Sequence, residues 1–341
     1  MLKSRLLSIA NFRIVTFPAL SSLTEVTKPP EYSRNKISII GAGQVGMAFA
    51  FACQNQHIAD EIAIVDVMGD KLKGELMDLQ QGAYFQPYVK VYGGTDLSVT
   101  KDSQICIVTA GSRQKDKETR LDLLGKNINI LKKIIPEIVN CSPEGTILIV
   151  TNPVDILAYA TWKLSGLPAN RVIGSGTNLD MSRFISMVAK KYNISTQSVF
   201  MWILGEHGDS MVPMWSSFSV AGKALLKNTE KVDEDWINNF KAVVKSAYEV
   251  RALKGCTQYA VSLSCVDICN SILTNANKVR AVSTLAKGFY GIEEEVFISL
   301  PCVLGQNGVS HMVNLEFTDS EMCALQESAC KVAKFQEGML K

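Results

Sequence analysis

Two constellations in this chain combine residue types at spacings that carry chemistry. The first is Gly41-Ala-Gly-Gln-Val-Gly46, which ends the apolar run Lys36-Ile-Ser-Ile-Ile40 and opens an alanine-rich run from Met47 to Cys53. A strand that breaks into G-x-G-x-x-G and continues as a helix is a dinucleotide-binding arrangement. Gly41 permits the tight turn, Gly43 lets backbone approach a pyrophosphate, and Gly46 lets helix and strand pack closely. Gln44 and Val45 complete the turn, and the helix amino terminus offers N–H groups and partial positive charge to phosphates. Asp66 closes the next strand-like run, Glu61-Ile-Ala-Ile-Val65. A carboxylate there accepts hydrogen bonds from the adenosine ribose hydroxyls and repels the extra phosphate of NADP, so NAD is the expected cofactor.

The second constellation is Leu204-Gly-Glu-His-Gly-Asp-Ser210. Only three histidines exist, so each can be weighed. His57 follows the first helix and is expected at the surface or in a turn. His311 has no carboxylate motif around it. His207 alone stands between two glycines, Gly205 and Gly208, which let the backbone turn and expose the ring. Oxidising an alcohol takes a hydride from carbon and a proton from oxygen, and a histidine titrates in the right range to carry that proton.

The elements that position these residues follow a rhythm. Strand-like runs recur at residues 89–92, 104–109 and 146–150, and helical patterns fall at 70–79, 120–139 and 154–164. Strands alternating with helices imply a parallel sheet covered on both faces. Near Gly176 the pattern changes to longer helices and shorter, mixed strands. The expected fold class is therefore α/β: a Rossmann-type doubly wound parallel sheet, residues 35–177, followed by an α+β catalytic domain, residues 178–341. Thr27 to Asn35, with Pro29-Pro30, reads as an extended linker.

Composition narrows the classes. The 341 residues are 47% apolar and 20% charged with a net charge of +2, and no basic stripe points to nucleic acid. No apolar run is long enough to span a bilayer. Nine scattered cysteines point to a reducing compartment, and Cys265 and Cys269 are expected as buried small hydrophobes rather than metal ligands. Residues 1–24 hold Lys3, Arg5 and Arg13 and no acid. That is either a mitochondrial transit composition or an arm that docks on a neighbouring subunit.

The segments Gly174-Ser-Gly-Thr-Asn-Leu-Asp-Met-Ser-Arg-Phe184, Thr151-Asn-Pro-Val-Asp-Ile156 and Gly205-Glu-His-Gly-Asp-Ser210 closely resemble the L-lactate dehydrogenases. The similarity runs from about Asn35 to near the carboxyl end. It implies reversible, NAD-dependent interconversion of (S)-lactate and pyruvate, a homotetramer and, by family default, a cytoplasmic enzyme. It also implies roles. Asp180 is similar to the carboxylate that holds the His207 ring in one tautomer. Arg183, three residues on, is similar to the guanidinium that grips the substrate carboxylate, although an Asp180–Arg183 salt bridge is the alternative for such a pair in isolation. Arg120 follows a charged stretch similar to a closing active-site loop, and would polarise the reacting carbonyl. Arg113 resembles a cofactor-contacting arginine, Asn152 the residue that bonds nicotinamide ribose and substrate, and Thr257 a substrate-contacting threonine. Gln114 stands where lactate enzymes carry glutamine and malate enzymes arginine.

The chain departs from the pattern at Lys117, where a loop glycine is usual, at Gly125-Lys126, where Gln-Arg is usual, and at Cys256-Thr-Gln-Tyr259, where Tyr-Thr-Ser-Trp is common. Malate dehydrogenase, and a weakly active paralogue that binds NAD or assembles with active subunits, are the alternatives.

Overall fold

The computed structural model describes residues 35–112, 120–226 and 232–337, without the side chains of Arg120, Leu121 and Glu337. In chain order the elements are β1 (Lys36–Ile40), α1 (Gln44–Gln56), β2 (Glu61–Val65), α2 (Gly69–Gln81), β3 (Lys90–Gly94), β4 (Ile105–Val108), α3 (Arg120–Cys141), β5 (Thr146–Ile149), α4 (Val154–Ser165) and β6 (Val172–Gly174). There follow α5 (Asn178–Tyr192), β7 (Val199–Gly205), β8 (Met211–Val220), β9 (Lys223–Ala224), α6 (Glu234–Lys254), α7 (Tyr259–Leu273), β10 (Lys278–Leu285), β11 (Phe297–Gly305), β12 (Gly308–Met312) and α8 (Asp319–Glu337).

The first six strands pair in parallel in the order β3-β2-β1-β4-β5-β6, a doubly wound arrangement that reverses direction at β1. Their apolar runs are continuous because both faces are covered. Alternate residues serve opposite faces: Ile37, Ile39, Ile62, Ile64, Ile105 and Ile107 pack in one cluster with Phe49 and Leu72. Ile40, Val65, Cys106 and Val108 pack in another with Leu124, Leu131, Ile135 and Leu157.

Parallel pairing brings the carboxyl ends of β1, β2, β4, β5 and β6 to one edge. The residues following them, Gly41, Asp66, Ala110, Asn152 and Ser175, therefore share that edge. The antiparallel strands continue the same sheet as β6-β10-β11-β7-β8-β9, through the pair Ser283 and Gly174. A Cβ on Gly174 would stand 2.7 Å from that of Ser283, so two small residues make the junction possible. Behind β7 and β8 an aromatic cluster of Phe184, Trp215, Phe218, Trp236 and Phe240 fixes α5 against the sheet. Among the described residues no helix is long and apolar enough to cross a membrane.

Candidate active site

The glycine turn is built as its spacing predicts. Gly41 has φ +110°, and a Cβ there would meet the Ala110 backbone nitrogen at 2.6 Å. A Cβ on Gly46 would lie 2.0 Å from the Gly41 carbonyl oxygen, so this position admits only glycine while α1 keeps its seat on β1. Gly43 faces open space: no heavy atom lies within 4 Å of where a Cβ would stand. Gly43 also caps α1 without a side-chain bond, and no acid lies in the helix's first turn. The first N–H groups of the helix thus point outward beside exposed Gln44 and half-buried Val45. Asp66 accepts the Ala42 N–H at 2.7 Å through Oδ2 and the Met68 N–H at 2.9 Å through Oδ1. Each oxygen keeps a lone pair for a further donor, and the group is half-buried. A bare backbone turn, an uncapped helix and an accepting carboxylate beyond it fit the pyrophosphate and ribose of NAD.

The second cluster gathers around His207. β7 ends on Gly205, whose φ of +84° turns the chain out of the sheet. Gly208 has no such conformation and serves by its size instead: a Cβ there would stand 2.8 Å from the Glu206 carboxylate oxygen. Glu206 closes the loop by accepting from Ser210, both from its N–H at 3.1 Å and from its hydroxyl, and the Glu206 N–H donates to Ser328 Oγ on α8 at 3.0 Å.

Asp180 sits in the first turn of α5, where negative charge meets the helix dipole. That turn is held deep in the protein. The Thr177 N–H donates to Ser299 Oγ at 3.0 Å, its hydroxyl donates to the Ile203 carbonyl at 2.5 Å, and Asn178 donates to Ser264 Oγ at 2.8 Å. Asp180 is 1% exposed; its Oδ2 lies 2.5 Å from His207 Nδ1, and its Oδ1 accepts from Arg183 Nη1 at 2.8 Å.

The charges act on each other. Burial works against an imidazolium, but the Asp180 carboxylate outweighs it and holds the His207 pKa above its ordinary value. Burial would likewise raise Asp180, and the adjoining His207 and Arg183 instead hold it below the usual carboxylate range. With Nδ1 committed to Asp180, the ring's other nitrogen is the one left to meet a reacting oxygen. Both readings of the Asp180–Arg183 pair are accommodated: the salt bridge exists, and it uses one edge of a guanidinium that has five donors.

Asn152 is exposed in the turn after β5, joined by a cis bond to Pro153. Thr257 lies half-buried in the short connection between α6 and α7. No bond joins either to the His207 cluster among the described residues. Arg113, Gln114 and Lys117 lie outside the described residues, as does the Arg120 side chain; its backbone begins α3. His57 is an exposed left-handed cap of α1 and His311 is exposed on β12, while Cys265 and Cys269 are fully buried on α7, as expected.

Two residues escaped the sequence reading. Asn127, 1% exposed on α3, accepts the Ser112 N–H at 2.8 Å and donates to the Asn152 carbonyl at 3.1 Å. Asp155, 3% exposed on α4, accepts the His207 N–H at 2.7 Å. The only signals in the sequence were an amide and a carboxylate on the buried faces of apolar helices.

Residues 35–174 match the family described as lactate/malate dehydrogenase, NAD binding domain, and residues 177–337 match its alpha/beta C-terminal domain. The chain is 51% identical over 306 residues to L-lactate dehydrogenase B-B chain of Danio rerio, covering 88% of this chain and 92% of the relative. It is 49% identical over 312 residues to the B chain of Anguilla rostrata, covering 90% and 94%. The B chain of Mus musculus matches at 51% over 300 residues, covering 86% and 90%. A glycine turn built for NAD on the first half of the sheet, a histidine–aspartate–arginine cluster on the second, and matches spanning both halves place this chain in the lactate/malate dehydrogenase family.

Proposed function

We propose that this chain is an NAD-dependent L-lactate dehydrogenase, interconverting (S)-lactate and pyruvate. The observation that carries the reading is the His207–Asp180–Arg183 cluster: a polarised base and a guanidinium with unused donors, both anchored on one buried carboxylate. When bound, NAD supplies the hydride acceptor. Gly41, Gly43, Gln44, Val45 and Gly46 hold its phosphates, Asp66 its adenosine ribose, and Arg113 and Asn152 its remaining polar groups. Arg183 grips the substrate carboxylate through paired hydrogen bonds, with Thr257 and Asn152 beside it. His207 takes the hydroxyl proton during lactate oxidation and returns it to the carbonyl oxygen of pyruvate during reduction. Asp180 keeps the ring's tautomer and stabilises the imidazolium. Arg120 polarises the carbonyl. Incubating purified protein with NAD and either L- or D-lactate tests this reading: NADH should form with the L isomer only. Equal rates with both, or none with either, would reject it.

Gln114 supports pyruvate over oxaloacetate. Arg183 neutralises the one carboxylate of pyruvate, whereas the second carboxylate of oxaloacetate would meet a neutral amide. A charge-assisted hydrogen bond recovers about 1.5–3 kcal/mol. Gln114→Arg should therefore shift the kcat/KM ratio toward oxaloacetate by at least about tenfold, the equivalent of about 1.4 kcal/mol. An unchanged ratio would separate Gln114 from specificity.

The division into an NAD-binding half, residues 35–177, and a catalytic half, residues 178–341, belongs to the same proposal, as do a homotetramer and a cytoplasmic location. The acid-free segment 1–24 is the argument for mitochondria instead. A reporter fused after residue 30 should give diffuse fluorescence; mitochondrial fluorescence would overturn the cytoplasmic assignment.

A further inference from the structure

Resting on the oxidoreductase reading above, we propose that Asp155 is a positioning residue for the reaction, fixing the main chain of His207 while Asp180 fixes its ring. Two carboxylates from different elements hold this one histidine. Asp180 Oδ2 meets Nδ1 at 2.5 Å, and Asp155 Oδ2 accepts the backbone N–H at 2.7 Å. A bond to the ring sets its rotation about the side-chain axis; it does not set where the loop carries the Cα. The Cα position needs its own support here, because His207 lies in the loop two residues beyond Gly205, where the chain leaves β7 through a left-handed conformation. The Asp155 bond supplies it at His207 itself, beside the bond from the Glu206 N–H to Ser328.

The place from which Asp155 reaches matters equally. It lies in the first turn of α4, two residues beyond Pro153 and three beyond Asn152. The same short segment therefore carries the Asn152 amide and the acceptor that holds His207. Asn127 grips the Asn152 carbonyl from the other side at 3.1 Å. Two hydrogen bonds thus tie this one segment to α3 and to the His207 loop, linking the two halves of the sheet where the reaction requires a fixed spacing.

Stability alone does not account for a carboxylate at this position. Asp155 is 3% exposed between Val154 and Ile156, and its Oδ1 completes no hydrogen bond, the nearby Ser283 hydroxyl being unpaired as well. Burial pushes its pKa up to about 6, against the opposing pull of the His207 backbone N–H. An amide side chain would accept the same N–H without the cost of burying a charge. The charged groups that face it are His207 itself and Glu206 from the same loop, with Asp180 and Arg183 acting on the ring from α5. Its charge adds to that of Asp180 in favouring the imidazolium.

The test compares Asp155→Ala with Asp155→Asn, which keeps an acceptor for the His207 N–H but no charge. Asp155→Ala should lower kcat for pyruvate reduction on the order of 10²-fold, the usual penalty for a displaced catalytic group, with NADH affinity retained. Its His207 amide should exchange hydrogen faster. Asp155→Asn should recover most of that turnover, and its His207 titration, followed by NMR of the apo protein with His57 and His311 as internal controls, should move to lower pH. A purely structural role would alter melting without either change. Wild-type kcat in Asp155→Ala, or an unmoved His207 titration in Asp155→Asn, overturns the proposal. The NMR and exchange readings need no substrate, so they decide the Asp155–His207 link even if the wild-type protein fails to reduce pyruvate, which would reject the functional reading instead. Should Asp155→Ala not fold, Asp155→Leu, larger and likewise without an acceptor for the His207 N–H, takes its place in the turnover and exchange measurements.

Discussion

His207→Asn should abolish pyruvate reduction while leaving NADH binding intact. General acid–base catalysis by a placed side chain contributes about 10²–10⁴-fold, and asparagine can neither give nor take the proton. The residues that fit NAD, from Gly41 to Gly46 with Asp66, belong to the first half of the sheet and are untouched by the change. Steady-state rates and NADH fluorescence titration check both halves of the statement. Near-normal turnover by the variant would remove His207 from the mechanism. The intact enzyme should also show a directional pH profile. Reduction needs the imidazolium, so its rate should fall as pH rises through the His207 midpoint, and lactate oxidation should rise through the same midpoint. Asp180 places that midpoint above the ordinary histidine value. The sign for stability is the same: the His207 share is present below the unfolded histidine pKa and is lost as pH climbs through the raised folded value, while the Asp180 share is lost as pH falls through its lowered one.

Arg183→Met should cost the most in substrate affinity. The substitution leaves the substrate carboxylate unpaired in the site and strips Asp180 of one of its two partners. Breaking such a buried pair from one side costs about 3–5 kcal/mol, equivalent to a fall in kcat/KM for pyruvate on the order of 10²–10⁴-fold. Arg183→Lys should retain part of the charge but not the paired geometry, and fall between. A second effect distinguishes the two readings of Arg183. Its positive charge opposes protonation of His207, so its loss should move the His207 midpoint further up. If KM for pyruvate stays fixed while only that midpoint moves, Arg183 is a brace for Asp180 and not the substrate anchor.

The Rossmann half was legible because each of its signals is local. A buried strand, a glycine turn and an acid at the next strand's end follow one another between Lys36 and Asp66, and the structure builds them in that order. His207 was legible for a different reason, the scarcity of histidines and the glycines around it. Asp180 and Arg183 required the family resemblance, since an acid and a base three apart on a helix also describe any surface pair. The continuity of the sheet was not legible. It depends on Ser283 meeting Gly174 across most of the second half, a pairing that no local period encodes. Asp155 and Asn127 were missed because each works through the backbone of a segment far away in sequence. Asp155 stands inside the family-like segment Thr151 to Ile156, yet an acid in a helix's first turn is ordinarily explained by the helix dipole.

Lactate chemistry and malate chemistry part on a single comparison: the initial rate of NADH oxidation by the purified chain with pyruvate and with oxaloacetate, at equal low concentrations. With Arg183 as the carboxylate anchor and a neutral Gln114, oxidation should be rapid with pyruvate and clearly slower with oxaloacetate. Faster turnover of oxaloacetate, or no NADH oxidation with pyruvate, would contradict the assignment.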